Sequence, residues 1–326
     1  MSGRTPGSLL FAALLLGATA AFAQSPAQHY PDRPIRLLVP NAPGSSIDTL
    51  SRIVAVKLGE TLGQQIVVDN RAGAGGILGM ELAKNASPDG YTLISATTAA
   101  STIALLLHKN PGYHPVRDYD YIGQFAATPN VLVVNPALPV ASLKELIDYA
   151  KARPGQVNMA SAGAGSQSHL AGAYLMAVAH MPSLHVPYKG GGASVAAVMA
   201  GESHWTLTPA PAVMSLVRGG RLRALAHSLP RRSALLGDIP SIAETVPGFD
   251  YSGWQGLLAP KGTSPAVLAK VHAALARTMN LPEVKEAFAA QATEVVLGTA
   301  QEFRKLVQES LEANAKVVAT IGLKAE

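Results

Sequence analysis

Short apolar runs alternate with stretches of helical periodicity along nearly the whole chain, and few architectures accommodate that pattern. Ile35-Arg36-Leu37-Leu38-Val39 reads as a strand, after which Ile47, Leu50, Val54 and Leu58 recur at near-helical spacing. Ile66 to Val68 and Tyr91 to Ser95 continue the strands, separated by a short helix from Ile77 and a Ser87-Pro88-Asp89-Gly90 turn. Val131–Val134, Val157–Ala160, Leu184–Val186, Trp205–Leu207 and Leu222–Ala226 extend the series, with helices between them. Ser142 with Glu145 three residues on is a capping-box pattern opening one such helix, and Pro154-Gly155 closes it. The remainder predicts a strand near Leu257-Leu258, helices from Pro265 and Pro282, a short strand at Val295-Val296 and a long helix from Ala300. Such alternation predicts an α/β fold with parallel sheets, whose ligands sit at the carboxyl ends of the strands.

Three loops at such ends share one chemistry: Pro40 to Ser46, Ser161 to Ser168, and Tyr188 to Ser194. Each leads from a strand into a helix and is rich in glycine and serine. Glycine lets the backbone approach a ligand, the helix N-terminus offers unpaired N–H groups and a positive dipole end, and serine adds hydroxyl donors. From Pro154 to Val217 the only charged side chains are Lys189 and Glu202, in a chain that is 14% charged overall. One such loop is an ordinary turn with a serine cap. Three together predict a site for a small anion held by backbone and hydroxyl groups.

The N-terminus sets the compartment. Arg4 precedes the apolar run Leu9 to Leu16, and Ala21-Phe22-Ala23 supplies a small-x-small cleavage signal before Gln24. This pattern predicts a signal peptide over residues 1–23, cut after Ala23, and a periplasmic protein. The run is too short to span a bilayer, and with no cysteine the cleaved chain has no thiol to lipidate, so no membrane anchor is expected. The rest of the 326 residues suffices for two domains. The net charge of +5 is modest, and the arginines at 218, 221, 223, 231 and 232 lack interleaved aromatics, so nucleic acid is not an expected partner.

Other chemistries fare worse. Gly163-Ala164-Gly165-Ser166-Gln167-Ser168 echoes a dinucleotide fingerprint, but Ser168 replaces the third glycine and His185 stands where an acid should end the next strand. No cofactor is expected. The nine histidines show no ligand spacing, so no metal is expected. Ser166 near His169 leaves a secreted serine hydrolase as the alternative, although no Gly-x-Ser-x-Gly elbow is present.

Seven segments in register, among them Tyr30 to Arg36, Pro40 to Asp48, Asn70 to Gly76, Pro88 to Leu93, Ser142 to Leu146, His185 to Gly190 and Gly220 to Ala226, resemble the extracytoplasmic solute receptors of the tripartite tricarboxylate transporter family, also called Bug receptors. The resemblance implies a two-lobed, type II-like periplasmic-binding-protein fold with mixed, mainly parallel sheets that closes like a flytrap. Lobe one would comprise residues 24–130 plus 249–326, and lobe two residues 131–248. It further implies a non-catalytic, monomeric receptor that binds a small carboxylate and hands it to membrane transporter subunits or serves as an orphan sensor. Carried over residue by residue, the ligand site would use Asn41, Gly44, Ser45, Ser46, Asp48, Thr97, Thr98, Ser161, Gly165, Ser166, Ser168, Tyr188, Lys189 and Thr208.

Two departures from the family pattern fall near that site. Asn41 and Ser45 replace an aromatic residue and a glycine of the first loop, and His204 and Thr208 stand where the family often places aspartates. An ammonium group needs a carboxylate partner when buried, so these changes predict a carboxylate without an amino group.

Overall fold

The computed structural model describes residues 29–324 and the isolated Gly3, so the leader expected over residues 1–23 lies outside the described residues apart from that glycine. In chain order the elements are β1 (Ile35–Val39), α1 (Ser46–Leu62), β2 (Ile66–Asn70), α2 (Ile77–Lys84), β3 (Thr92–Thr97), α3 (Ala104–Leu107) and β4 (Tyr119–Val134). Then come α4 (Leu143–Lys151), β5 (Asn158–Ser161), α5 (Gln167–Val178), β6 (Leu184–Pro187), α6 (Gly191–Ala200), β7 (Trp205–Pro209), α7 (Met214–Arg218) and β8 (Arg223–His227). The chain ends with β9 (Ser252–Pro260), α8 (Pro265–Asn280), α9 (Pro282–Ala290), β10 (Glu294–Val295) and α10 (Ala300–Thr320).

The strands hydrogen-bond in the order β2-β1-β3-β9-β4-β7-β5-β6, with β8 and β10 also paired to β4. The flanks are parallel, as the alternation predicts: β1 with β2 and β3, and β5 with β6 and β7. Every antiparallel pairing involves β4 or β9. These two strands are longer than the apolar runs at Val131–Val134 and Leu257-Leu258 suggest. Asp120, Gln124, Thr128 and Asn130 interrupt the hydrophobic pattern of β4, so its first half is legible only from its pairing.

β4 serves two sheets in succession. Tyr119 to Pro129 pairs with β9, whereas Asn130 to Val134 pairs with β7, and Val131 to Val134 with β8. Asn130 marks the switch. It is fully buried, its N–H donates to Ser228 Oγ at 2.9 Å, and its Nδ2 donates to the Tyr251 carbonyl at 2.8 Å. The outgoing strand and the chain returning to β9 are thereby tied at one point.

On the first half of the sheet, α1 and α8 bury Leu50, Val54, Leu58, Val271 and Leu275 against Ile35 and Leu37. On the second half, Leu146, Leu170, Leu175 and Trp205 form the corresponding core. α10 touches both sides. Its Phe303 and Val307 pack with Tyr121, Trp254 and Leu258, while Val318 near its end packs into the second core. Between these, Tyr251 Oη donates to Asn314 Oδ1 at 3.0 Å, and Asn314 Nδ2 donates to Thr102 Oγ1 at 3.1 Å. α10 carries a complete capping box between Thr299 and Glu302. At α4 the box is displaced by one residue: Ser142 Oγ accepts from the Glu145 N–H, but the Glu145 carboxylate accepts from Ala141.

The seat of α10 depends on a residue without a side chain. A Cβ on Gly256 would stand 2.3 Å from Cζ of Phe303 and 2.8 Å from the Gly123 carbonyl oxygen. Gly256→Ala should therefore lower stability by about 1–3 kcal/mol through overpacking. A lowered urea midpoint with an unchanged m-value is the expected result.

Candidate functional site

A cavity of about 530 Å³ lies where the ends of the parallel strands face one another across the crossover strands. Each predicted loop reaches it, and the local sequence shows how each is held. Ser45 is the N-cap of α1, its Oγ accepting from the Asp48 N–H at 3.4 Å. The Asp48 carboxylate then fastens the loop from behind. It accepts from the Gly44 N–H at 2.8 Å, from Asn70 Nδ2 at 3.0 Å and from the Arg52 guanidinium at 2.9 Å. Burial pushes its carboxyl up, but the bonds from Arg52, Gly44 and Asn70 outweigh this and hold it below the usual carboxylate range.

In the second loop Ser166 is the N-cap of α5, with Oγ accepting from the His169 N–H at 3.2 Å. Ser168 Oγ accepts from the Ala162 N–H at 2.9 Å, closing the loop on itself. Beneath it the imidazoles of His169 and His185 stack, with centroids 3.9 Å apart. His169 Nδ1 accepts from the Gly165 N–H, and His185 Nε2 shares a 2.6 Å hydrogen bond with Ser161 Oγ. Burial, and then the neighbouring His185, hold the His169 imidazole down to about 4, and burial lowers that of His185. Both are neutral supports for the loop. The third loop enters α6 through Gly190, whose φ of 99° suits glycine.

The cavity brings together Asn41, Ser45, Ser46, Thr97, Thr98, Ser166, Ser168, Lys189 and Thr208 from the predicted set. Gly44, Asp48, Ser161, Gly165 and Tyr188 are not part of its lining. The first four brace the loops through the bonds above, and Tyr188 Oη lies 3.1 Å from Ser203 Oγ. His204 likewise points elsewhere, its Nδ1 accepting from the Asn158 N–H. Sequence reasoning missed the Ala72 to Gly76 wall, the side chain of Thr128 and the stretch Gly253 to Gln255, and it singled out the Ser161 to Ser168 loop without naming Gln167 within it. No local motif marks the crossover-strand residues among these, because they become neighbours of the loops only when β4 and β9 pair.

Among the described residues, the one ionisable side chain in the lining is Lys189, which is exposed. The N-termini of α1, α5 and α6 supply the positive character instead, with amides and hydroxyls and no competing carboxylate. The Ser166 hydroxyl meets the His169 backbone N–H and Ser168, and among the described residues no imidazole is hydrogen-bonded to it. Ser166 Oγ is thereby held as the N-cap of α5.

A profile described as the tripartite tricarboxylate transporter family receptor matches residues 50–323. The chain belongs to this family. It is 36% identical to protein BugT of Bordetella pertussis over 310 residues, covering 94% of this chain and 95% of that one. Its fold superposes on the periplasmic binding protein BugD with a TM-score of 0.87 at 29% identity, covering 91% of this chain and all of BugD. The Rpa4515 protein of R. palustris, solved with adipate, matches with a TM-score of 0.88 at 30% identity over 91% of this chain and all of its own. The two-lobed periplasmic-binding-protein architecture implied by the sequence resemblance is the fold of this receptor.

Two expectations follow for the serines and histidines. Ser46 lines the cavity and its hydroxyl bonds to nothing among the described residues, whereas Ser166 both lines it and caps α5. Ser46→Ala should leave the ligand-free melting temperature unchanged and weaken carboxylate binding roughly tenfold. Ser166→Ala should do both, with about 1 kcal/mol of stability lost. Titration calorimetry and thermal melts of the two variants separate the roles. The depressed imidazoles make the unfolded chain the better proton acceptor between the ordinary value of 6.5 and about 4. Stability should therefore be present near neutrality and be lost as pH falls through that window, by roughly 1–3 kcal/mol for His169. His169→Asn, melted from pH ~7 to ~4.5, should show a flatter profile.

Proposed function

We propose that this protein is a periplasmic receptor that encloses a small carboxylate lacking an amino group and performs no chemistry on it. The observation that carries this reading is the convergence of three helix N-termini on a cavity without carboxylates. Such a site compensates one or two negative charges by dipoles and N–H groups, and gives a buried ammonium no counter-charge. The family relation and the adipate-bound relative support the carboxylate class.

In this reading residues 24–130 with 249–326, and residues 131–248, act as two lobes that close about the switch at Asn130. The ligand favours closure because only the closed form offers it donors from both sides. Residues 1–23 direct export and are removed after Ala23. Among the described residues no helix is long and apolar enough to cross a membrane. The mature monomer would diffuse to its partner, the membrane subunits of a tripartite transporter or a sensor that reads the closed form.

A thermal-shift panel tests the proposal. A cognate carboxylate at about 100 times its dissociation constant should add roughly 2.7 kcal/mol to stability. Succinate, citrate or benzoate-type acids should shift the melt, whereas aspartate and glutamate should not. A shift confined to the amino acids would overturn the amine-free assignment.

A further inference from the structure

The wall that the crossover strands give the cavity differs chemically from its loops. It carries Thr128 of β4 and Gln255 of β9, beside Thr98 just after β3, and none of the three can ionise. All three are more than nine-tenths buried and still line the cavity. In the ladder Thr128 lies opposite Gly253, and Ala126 lies opposite Gln255. Thr128 and Gln255 are therefore diagonal neighbours on one face, close enough for their side chains to meet.

Their hydrogen bond decides which end of the Gln255 carboxamide is presented. Thr128 Oγ1 donates to Gln255 Oε1 at 2.7 Å, and this engages the acceptor end. The donor end, Nε2, keeps accessible surface towards the cavity, whereas both amide atoms of Gln167, packed against Gly253, are sealed. Thr98 acts in the same sense. Its Oγ1 accepts from the Trp254 N–H at 2.9 Å, which turns the hydroxyl proton away from β9. This wall thus offers an amide donor and a hydroxyl donor, with no carboxylate beside them. Such a surface suits an oxygen acceptor. An ammonium group placed there would meet dipoles of the wrong sign and lose its water.

We propose that Gln255 is a specificity-determining residue, with Thr128 as the positioning residue that aims it, and that Gln255 Nε2 donates to an oxygen acceptor at the end of the ligand remote from the carboxylate in the serine loops. The proposal rests on the carboxylate-receptor reading and deepens it by assigning the far end of the ligand. Titration calorimetry on the full mature protein compares acids that differ only at that end: succinate with butyrate and 4-aminobutyrate, adipate with hexanoate and 6-aminohexanoate, and terephthalate with 4-methylbenzoate and 4-(aminomethyl)benzoate. In at least one series the diacid should bind about tenfold or more tightly than the methyl-ended acid, and the amine should bind weakest. Gln255→Met, similar in length and apolar, should abolish that advantage by weakening the diacid while leaving the methyl-ended acid within about twofold. Thr128→Val keeps the shape but loses the donor, and should shrink the same ratio, which a loss of packing alone would not do. Gln255→Glu can keep the bond from Thr128 and present a carboxylate, so it should favour the amine over the diacid; it serves if the methionine variant fails to fold. A wild type with no diacid advantage in any series, or with a preference for the amine, would overturn the proposal. An advantage undiminished in Gln255→Met, or an equal loss of both ligands there, would do the same. In each of these cases a carboxylate still binds, so the carboxylate-receptor reading stands. Failure of every carboxylate to bind would remove both.

Discussion

One strand belonging to two sheets determines how this molecule is built. The sixteen residues of β4 leave the first sheet beside β9 and enter the second between β7 and β8. Because the chain never breaks its pairing at the transition, the two sheets meet with their loop-bearing ends opposed. The cost of that continuity is polar. Asn130 and Ser228 are wholly buried at the switch; each takes a hydrogen bond from the neighbouring segment, while Asn130 Oδ1 has no hydrogen-bond partner among the described residues. The approach of Gln167 to Gly253 brings the two halves of the cavity together beside this junction.

The cavity lining holds no buried formal charge, because Lys189, its one ionisable side chain among the described residues, is exposed. A buried cation would need its own counter-ion when the ligand is absent, and that pair would have to be broken on binding. Helix N-termini need none, since their partial charge is part of the backbone. The carboxylate nearest the site illustrates the same economy. Asp48 stabilises the first loop from outside the lining, where Arg52 and Asn70 occupy its oxygens, so it does not repel an anion in the cleft.

The parallel flanks of the fold were legible because β-branched and leucine-rich runs alternate cleanly with helical periodicity. Loop chemistry was legible for a related reason: a serine or glycine before a helix has a local meaning. Ser45, Ser46, Ser166, Ser168 and Lys189 accordingly reach the cavity. The same local logic could not distinguish lining from bracing, and Gly44, Asp48, Ser161, Gly165 and Tyr188 support the walls from behind. Thr128 and Gln255 were invisible for another reason. They sit in strands whose polar residues hide the period-two pattern, and they reach the site only through a pairing some 130 residues apart in the chain.

The helix α10 ties the two hydrophobic cores together. Val318, with Val317, Ile321 and Leu323 beside it, covers part of the second core, although most of that core is encoded more than a hundred residues earlier. Without those residues part of the second hydrophobic surface would stand open, so the second core depends on a helix whose earlier turns pack against the first sheet.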